Sequence, residues 1–317
     1  MSSVITGGAG FVGSHLAERL AEAGEDVSVV DNLVRGSWGN LASAGNSIRK
    51  LQGDIRELAD LKEAFEGAEV VYHLAALSRV MDCELNAEDC SSVNVIGTHA
   101  VLRAAVECGV SRVVFASSRE VYGEPETLPV HETANLRPRN LYGASKLAGE
   151  VYCRMFADAG LEVSMLRLSN AYGLRDRDRV IPRFFLNAAN GSPLTIYGGE
   201  QILDFVWVDD VTNAFMIAGT GSYKSEPINV GSGIGTTLTD LASRVLSMTG
   251  SRSQLIHSKA RTVEVVNFIA DTGRCRSELG LAPVTDPLHH LPSLYLEKTK
   301  IRAGFEMRDN RHYGTLL

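Results

Sequence analysis

Tyr142 and Lys146, in the stretch NLYGASKLAGE, stand four residues apart. In a helix that spacing puts both side chains on one face. A phenol is a poor base at its ordinary pKa of ~10, and a neighbouring ammonium brings it toward neutrality. The pair is therefore suited to taking a proton from a substrate hydroxyl. A second stretch, ASSREVYG, holds Ser117, Ser118, Arg119 and Glu120. It offers hydroxyls that can hydrogen-bond, a carboxylate that can take or give a proton, and between them a guanidinium that stays protonated.

Groups of this kind need a scaffold that holds a cofactor beside them. Val4 and Ile5 form a short apolar run that leads into TGGAGFVGSHLAERLAEAG, and DVSVVDN follows. This reads as strand, glycine turn, helix and strand. Gly7 permits the tight turn, Gly10 lets the backbone approach a pyrophosphate, and Gly13 allows close packing of the helix, whose N-terminus then faces the phosphates. Asp31 ends the next run, where an acid can bind a ribose 2′-hydroxyl; this favours NAD over NADP. SIRKLQGDI ends near Asp54, EVVYHLAAL exits at Ala75, and VSRVVFASS exits at Ser118. Ligands of a parallel sheet bind at strand carboxyl ends, so all four exits are expected to line one crevice. The fold class expected is α/β: a doubly wound parallel sheet of the Rossmann type with a smaller, interleaved α/β substrate lobe.

At 317 residues, with 44% hydrophobic and 22% charged residues, the chain is long enough for one large or two intimate domains. A net charge of −7, with no long basic cluster, argues against a nucleic-acid partner, and no apolar run is long enough to suggest a membrane one. A small-molecule substrate is expected. Cys83, Cys90, Cys108, Cys153 and Cys275 form no CxxC pair, so reduced packing residues are expected rather than a metal site or a disulfide frame. The opening MSSVITGG leaves little room for a secretory leader, which makes a cytoplasmic location the expectation.

Together, TGGAGFVG, ASSREVYG and YGASK closely resemble the extended short-chain dehydrogenase/reductase family, in particular its NAD-dependent nucleotide-sugar epimerases and dehydratases. The resemblance implies that Tyr142 removes a sugar hydroxyl proton while C4 hydride passes to NAD, that Lys146 holds the cofactor ribose, and that Ser118 hydrogen-bonds the same hydroxyl. It implies a cofactor site of Gly7, Gly10, Phe11, Val12, Gly13, Asp31, Asn32, Asp54, Ile55, Leu74, Ala75, Ala76, Ser117, Tyr142 and Lys146. For the nucleotide sugar it implies Ser78, Arg79, Arg119, Asn170 at the diphosphate, Arg179 and Val180, Thr195 and Tyr197 at the base, and Arg261 at the pyrophosphate. A guanidinium suits phosphate oxygens and an aromatic face suits a flat base. The chain departs from the family at Leu203, where an arginine is common; Arg79, Arg179 or Arg183 are the candidates to compensate.

Glu120 matches the position of a dehydratase base, while the acid expected beside it is replaced by Arg119. A hexose C5 proton becomes acidic only once C4 is a ketone. A carboxylate that takes it can hand the proton on to O6, and return of hydride to C4 then leaves a 5,6-ene. The chain thus resembles the UDP-N-acetylglucosamine 5,6-dehydratase type of nucleoside-antibiotic pathways. A 4-epimerase in which Glu120 only pairs with Arg119, a UDP-glucuronate decarboxylase, a 4,6-dehydratase and an NAD-bound sensor without turnover stay open as alternatives. The division expected is 1–167 with about 203–225 for NAD, and about 168–202 with 226–317 for the nucleotide sugar. By resemblance, the helices of NVIGTHAVLRAAVECG and YGASKLAGEVYCRMFADAG would pair across a two-fold axis as a homodimer.

Overall fold

The computed structural model describes residues 1–221, 226–260 and 263–296. The first half contains β1 (Ser2–Thr6), α1 (Phe11–Glu22), β2 (Asp26–Asp31), β3 (Ile48–Gln52), α2 (Leu58–Phe65), β4 (Val70–His73), α3 (Val80–Leu85), α4 (Ala87–Ser91), α5 (Thr98–Glu107), β5 (Arg112–Ser118), α6 (Leu141–Asp158) and β6 (Glu162–Leu168). The second contains β7 (Asn170–Tyr172), α7 (Val180–Ala189), β8 (Leu194–Tyr197), β9 (Ile202–Trp207), α8 (Val208–Thr220), β10 (Ile228–Val230), β11 (Gly235–Thr237), α9 (Leu238–Thr249), β12 (Leu255–Ser258) and α10 (Gly273–Leu279).

Seven strands form one sheet in the order β10-β6-β5-β4-β1-β2-β3, every pair parallel. Central strands of such a sheet are covered on both faces and read as unbroken apolar runs. β4 (VVYH) and β5 (RVVFASS) are buried at every position. One face carries α1, α8 and α10 over Leu16, Leu20, Phe215, Cys275 and Leu279; the other carries α2, α5 and α6 over Leu61, Phe65, Leu102 and Cys153. Chain order reverses between β1 and β4, which is where a doubly wound sheet opens its crevice.

A second core gathers Phe184, Phe185, Leu194, Ile196, Phe205, Leu241 and Leu291 beneath the small sheets β11-β9-β7 and β12-β8. Here the structure differs from the division expected. β9 belongs to the small sheet, whereas β10 is the seventh strand of the large one and α10 packs in the large sheet's core. Three residues, Ile228 to Val230, are too few to show a strand period in sequence, so this return was not visible there. Asp204, fully buried on β9, ties the parts together: its carboxylate accepts from the N–H groups of Ser232, Gly233 and Ala270 and from the Ser232 hydroxyl. Among the described residues no helix is long and apolar enough to cross a membrane.

Candidate active site

The turn after β1 is shaped by what its glycines lack. Gly7 sits at φ +70°, and a Cβ there would lie 2.8 Å from the Ala75 backbone; a Cβ on Gly13 would run into the Gly7 carbonyl oxygen. α1 begins at Phe11 behind Gly10 with no side-chain cap, so its first N–H groups are open to an anion. At the end of β2, Asp31 accepts from the N–H groups of Ala9 (3.0 Å) and Leu33 (2.8 Å). Burial pushes its pKa up, and the two hydrogen bonds oppose the shift.

These residues open onto a cavity of about 510 Å³, within the ~300–1,000 Å³ common for ligand clefts. Gly7, Gly10, Phe11, Val12, Gly13, Asp31, Asn32 and Ile55 line one part of it; Leu74, Ala75, Ala76, Ser78, Ser117, Ser118, Tyr142, Lys146 and Arg179 line the rest. An uncapped helix terminus, a close glycine turn and a carboxylate at the second strand's end are the features a dinucleotide requires, so the cavity fits NAD.

Ser118, the last residue of β5, accepts from the Glu120 N–H (3.2 Å) and lies near enough to the Tyr142 phenol to favour its ionised form. Asn140 starts the helix that carries Tyr142: its Oδ1 accepts from Gly143 N–H at 2.7 Å, an N-cap. Burial pushes the Tyr142 phenol up to about 12, against the nearby charge of Arg179 and the Ser118 hydroxyl. Burial also pulls the Lys146 ammonium down to about 8; it lies 4.9 Å from the centre of the Phe115 ring and 5.9 Å from that of Tyr142. At neutral pH the resting pair is a neutral phenol and an ammonium.

Other expected site residues lie off the cavity wall. Asp54 is drawn away by Arg56, whose guanidinium (2.6 and 2.9 Å) lowers its pKa to about 2, and Asn32 donates to it at 3.3 Å. Arg119 and Glu120 are buried in the short helical turn Arg119–Val121 and paired at 2.9 Å. Arg79 immediately precedes α3 and faces Asp82 and Asp178 at 3.8 and 3.6 Å. Asn170 donates to the Asp204 carbonyl at 3.2 Å. Val180 opens α7, while Thr195 and Tyr197 alternate with buried Leu194 and Ile196 along β8 and share its outer face. Leu203 is a packing residue of the small lobe's core, and Arg183 is exposed on α7. Arg261 lies outside the described residues.

Three features of the site are not marked by the sequence motifs. Arg35, Arg175, Arg177 and Asp178 also line the cavity, and Arg35 bridges to Asp178 at 2.7 Å, tying the loop after β2 to the loop after β7. Asn94, in a π-helical turn at Ser92–Gly97, accepts from Leu77 N–H (2.8 Å) and donates to Leu77 C=O (3.0 Å) and to Ser145 Oγ (2.9 Å). It thereby pins the cavity wall to α6. The third is Asn140, which donates to Glu120 Oε2 at 2.7 Å as well as capping α6. A polar residue just before LYGASK was the available signal for the cap; nothing local marks the other two.

A doubly wound sheet with this glycine turn, Asp31 and a Ser–Tyr–Lys set on one cavity defines an NAD-binding enzyme of the hydroxyl-oxidising kind. The chain belongs to the NAD dependent epimerase/dehydratase family, which matches residues 3–231. A UDP-glucose 4-epimerase of Mycolicibacterium smegmatis is 34% identical over 294 residues, 89% of this chain and 94% of that one. A UDP-N-acetyl-alpha-D-glucosaminuronate decarboxylase of Bacillus cytotoxicus is 34% identical over 265 residues, 80% of this chain and 82% of that one. The crystal structure of a dTDP-glucose 4,6-dehydratase from Streptomyces venezuelae with NAD bound is similar at a TM-score of 0.90 and 30% identity, covering 96% of this chain and 98% of that one. Three reaction outcomes thus recur on one scaffold.

Proposed function

We propose that the chain is an NAD-dependent nucleotide-sugar 4-epimerase that works through a 4-keto sugar, with a UDP-hexose as the substrate class. The observation that carries this is the engagement of Glu120: Oε1 pairs with Arg119 (2.9 Å), Oε2 accepts from Asn140 (2.7 Å), and neither Arg119 nor Glu120 lines the cavity shared by Ser118, Tyr142 and Lys146. The chemistry NAD supplies when bound is reversible hydride transfer at a carbinol carbon. Tyr142 takes the C4 hydroxyl proton and returns it, and Ser118 holds the same oxygen. The positive charges of Lys146 and Arg179 favour the phenolate that this step requires.

A second reading, the 5,6-dehydratase in which Glu120 takes the C5 proton, is favoured by one observation: Glu120 is near enough for its charge to bear on the Tyr142 phenol. Incubating the protein with NAD and UDP-glucose, UDP-galactose or UDP-N-acetylglucosamine in deuterium oxide separates the two. Epimerisation inverts C4 and leaves hydrogen on C5; a vinyl signal at C6 with loss of the C5 hydrogen refutes the epimerase reading. The same proposal includes a homodimer through α5 and α6, supported by exposed Val106, Val151 and Met155, and a monomer in sedimentation would remove that part.

A further inference from the structure

Oxidising C4 to a ketone makes the C5 hydrogen acidic. A free carboxylate nearby would take it as a proton and leave an enolate. The enolate can be reprotonated from solvent. Alternatively its electrons form the C5=C6 bond as the C6–O bond breaks, and the carboxyl gives its proton to the departing oxygen, which leaves as water. The first path replaces the C5 hydrogen with one from solvent; the second diverts the ketone from return to the saturated alcohol.

Glu120 is such a carboxylate by position. Its N–H donates to Ser118 Oγ, and the first turn of α6 lies so close that a Cβ on Gly143 would run into its carbonyl oxygen. We infer that Arg119 and Asn140 restrain Glu120 so that the 4-keto sugar keeps its C5 hydrogen, which makes Arg119 a positioning residue that decides the outcome of the reaction. The inference rests on the 4-keto reading above.

Each restraint is itself fixed. Asn140 caps α6 through Oδ1, and its Nδ2 donates both to Glu120 and to the Val263 carbonyl at 3.0 Å. The Arg119 guanidinium lies 5.7 Å from the centre of the Phe268 ring and is only 8% exposed, yet its Nη1 is buried without a partner. An arginine free to choose would turn that donor to water, since an unpaired buried N–H costs stability. Its pairing with Glu120 and its packing outweigh that loss. Each of the two oxygens of Glu120 is therefore held by a single side chain, and one substitution releases it.

The test follows C4 turnover and C5 deuterium together, using the full chain with NAD and UDP-glucose, UDP-galactose or UDP-N-acetylglucosamine in deuterium oxide. Wild type inverts C4 and retains hydrogen at C5. Arg119→Gln should raise the ratio of C5 deuterium uptake to C4 turnover at least about tenfold, the scale of freeing one charge-assisted hydrogen bond. Arg119→Lys, which keeps the charge, should stay near wild type. Adding Glu120→Gln to Arg119→Gln should bring the ratio back down, because an amide cannot accept the proton. Asn140→Ser provides an independent arm if Arg119→Gln does not fold: serine still caps the helix but is too short to reach Glu120, so the ratio should again rise. Continued C4 turnover with C5 hydrogen fully retained in Arg119→Gln or Asn140→Ser overturns the inference, as does wild-type C5 exchange that keeps pace with C4 turnover. Absence of C4 turnover in wild type with all three sugars instead overturns the functional reading beneath it.

Discussion

Replacing Glu150 by glutamine perturbs the connection between the two chain segments that carry the reacting groups. Glu150 lies on α6, two turns beyond Tyr142, and is fully buried. Its Oε1 accepts from Ser117 Oγ at 2.5 Å and from Arg167 Nε at 2.8 Å, while Oε2 accepts from Arg167 Nη2 at 2.7 Å. Arg167, on β6, is 1% exposed and also donates to the Tyr122 phenol and the Glu132 carbonyl. Removing one partner of such a pair leaves the other charge buried and uncompensated, at about 3–5 kcal/mol. With an unfolding entropy of about 2.1 cal/mol/K per residue over 317 residues, that loss lowers Tm by about 5–8 °C. Scanning calorimetry of Glu150→Gln without NAD measures it. The double variant Glu150→Leu with Arg167→Met removes both charges and should recover part of the loss. Because Ser117 adjoins Ser118, Glu150→Gln should also lower kcat more than it raises KM. A Tm within about 1 °C of wild type would refute the reasoning, since it would mean that solvent reaches the pair.

NADP should bind more weakly than NAD by at least about tenfold, because a 2′-phosphate would meet the Asp31 carboxylate held in place by Ala9 and Leu33; equal affinities in paired titrations would remove Asp31 from the site. Tyr142→Phe should lose about 10²–10⁴ in kcat while retaining nucleotide-sugar binding, since it removes a proton carrier needed only in the reacting state; near-normal turnover would exclude the mechanism. Lys146 has its pKa lowered to about 8, so the ammonium is present below that pH and lost above it; kcat/KM should fall through an alkaline limb near pH 8. A limb that survives unchanged in Lys146→Met belongs to another group. The same lowered pKa makes a stability contribution of opposite sense, a cost present at neutral pH and relieved as pH rises from about 8 toward the ordinary lysine value, which denaturant titration across that window would detect.

The sequence was most readable where a function rests on backbone geometry. TGGAGFVG stated its turn because the φ of Gly7 and the contact at Gly13 admit no side chain, and Tyr142 with Lys146 stated a helix face because four residues make one turn. Partners distant in the chain were not readable. Arg35 meets Asp178 across 143 positions, and Asn94 clamps Leu77 to Ser145 from a π-helical turn that no periodicity marks. Glu120 shows why such gaps matter for function. Residue type and its place after Ser118 suggested a base, and both remain true in the fold; what differs is that Arg119 and Asn140, the first adjacent and the second 20 positions on, occupy its two oxygens. The proton a carboxylate can take depends on which donors already hold it. Here one of those donors also caps the helix bearing Tyr142, so a single side chain positions both the phenol proposed to take the hydroxyl proton and the carboxylate proposed to be kept from the C5 proton.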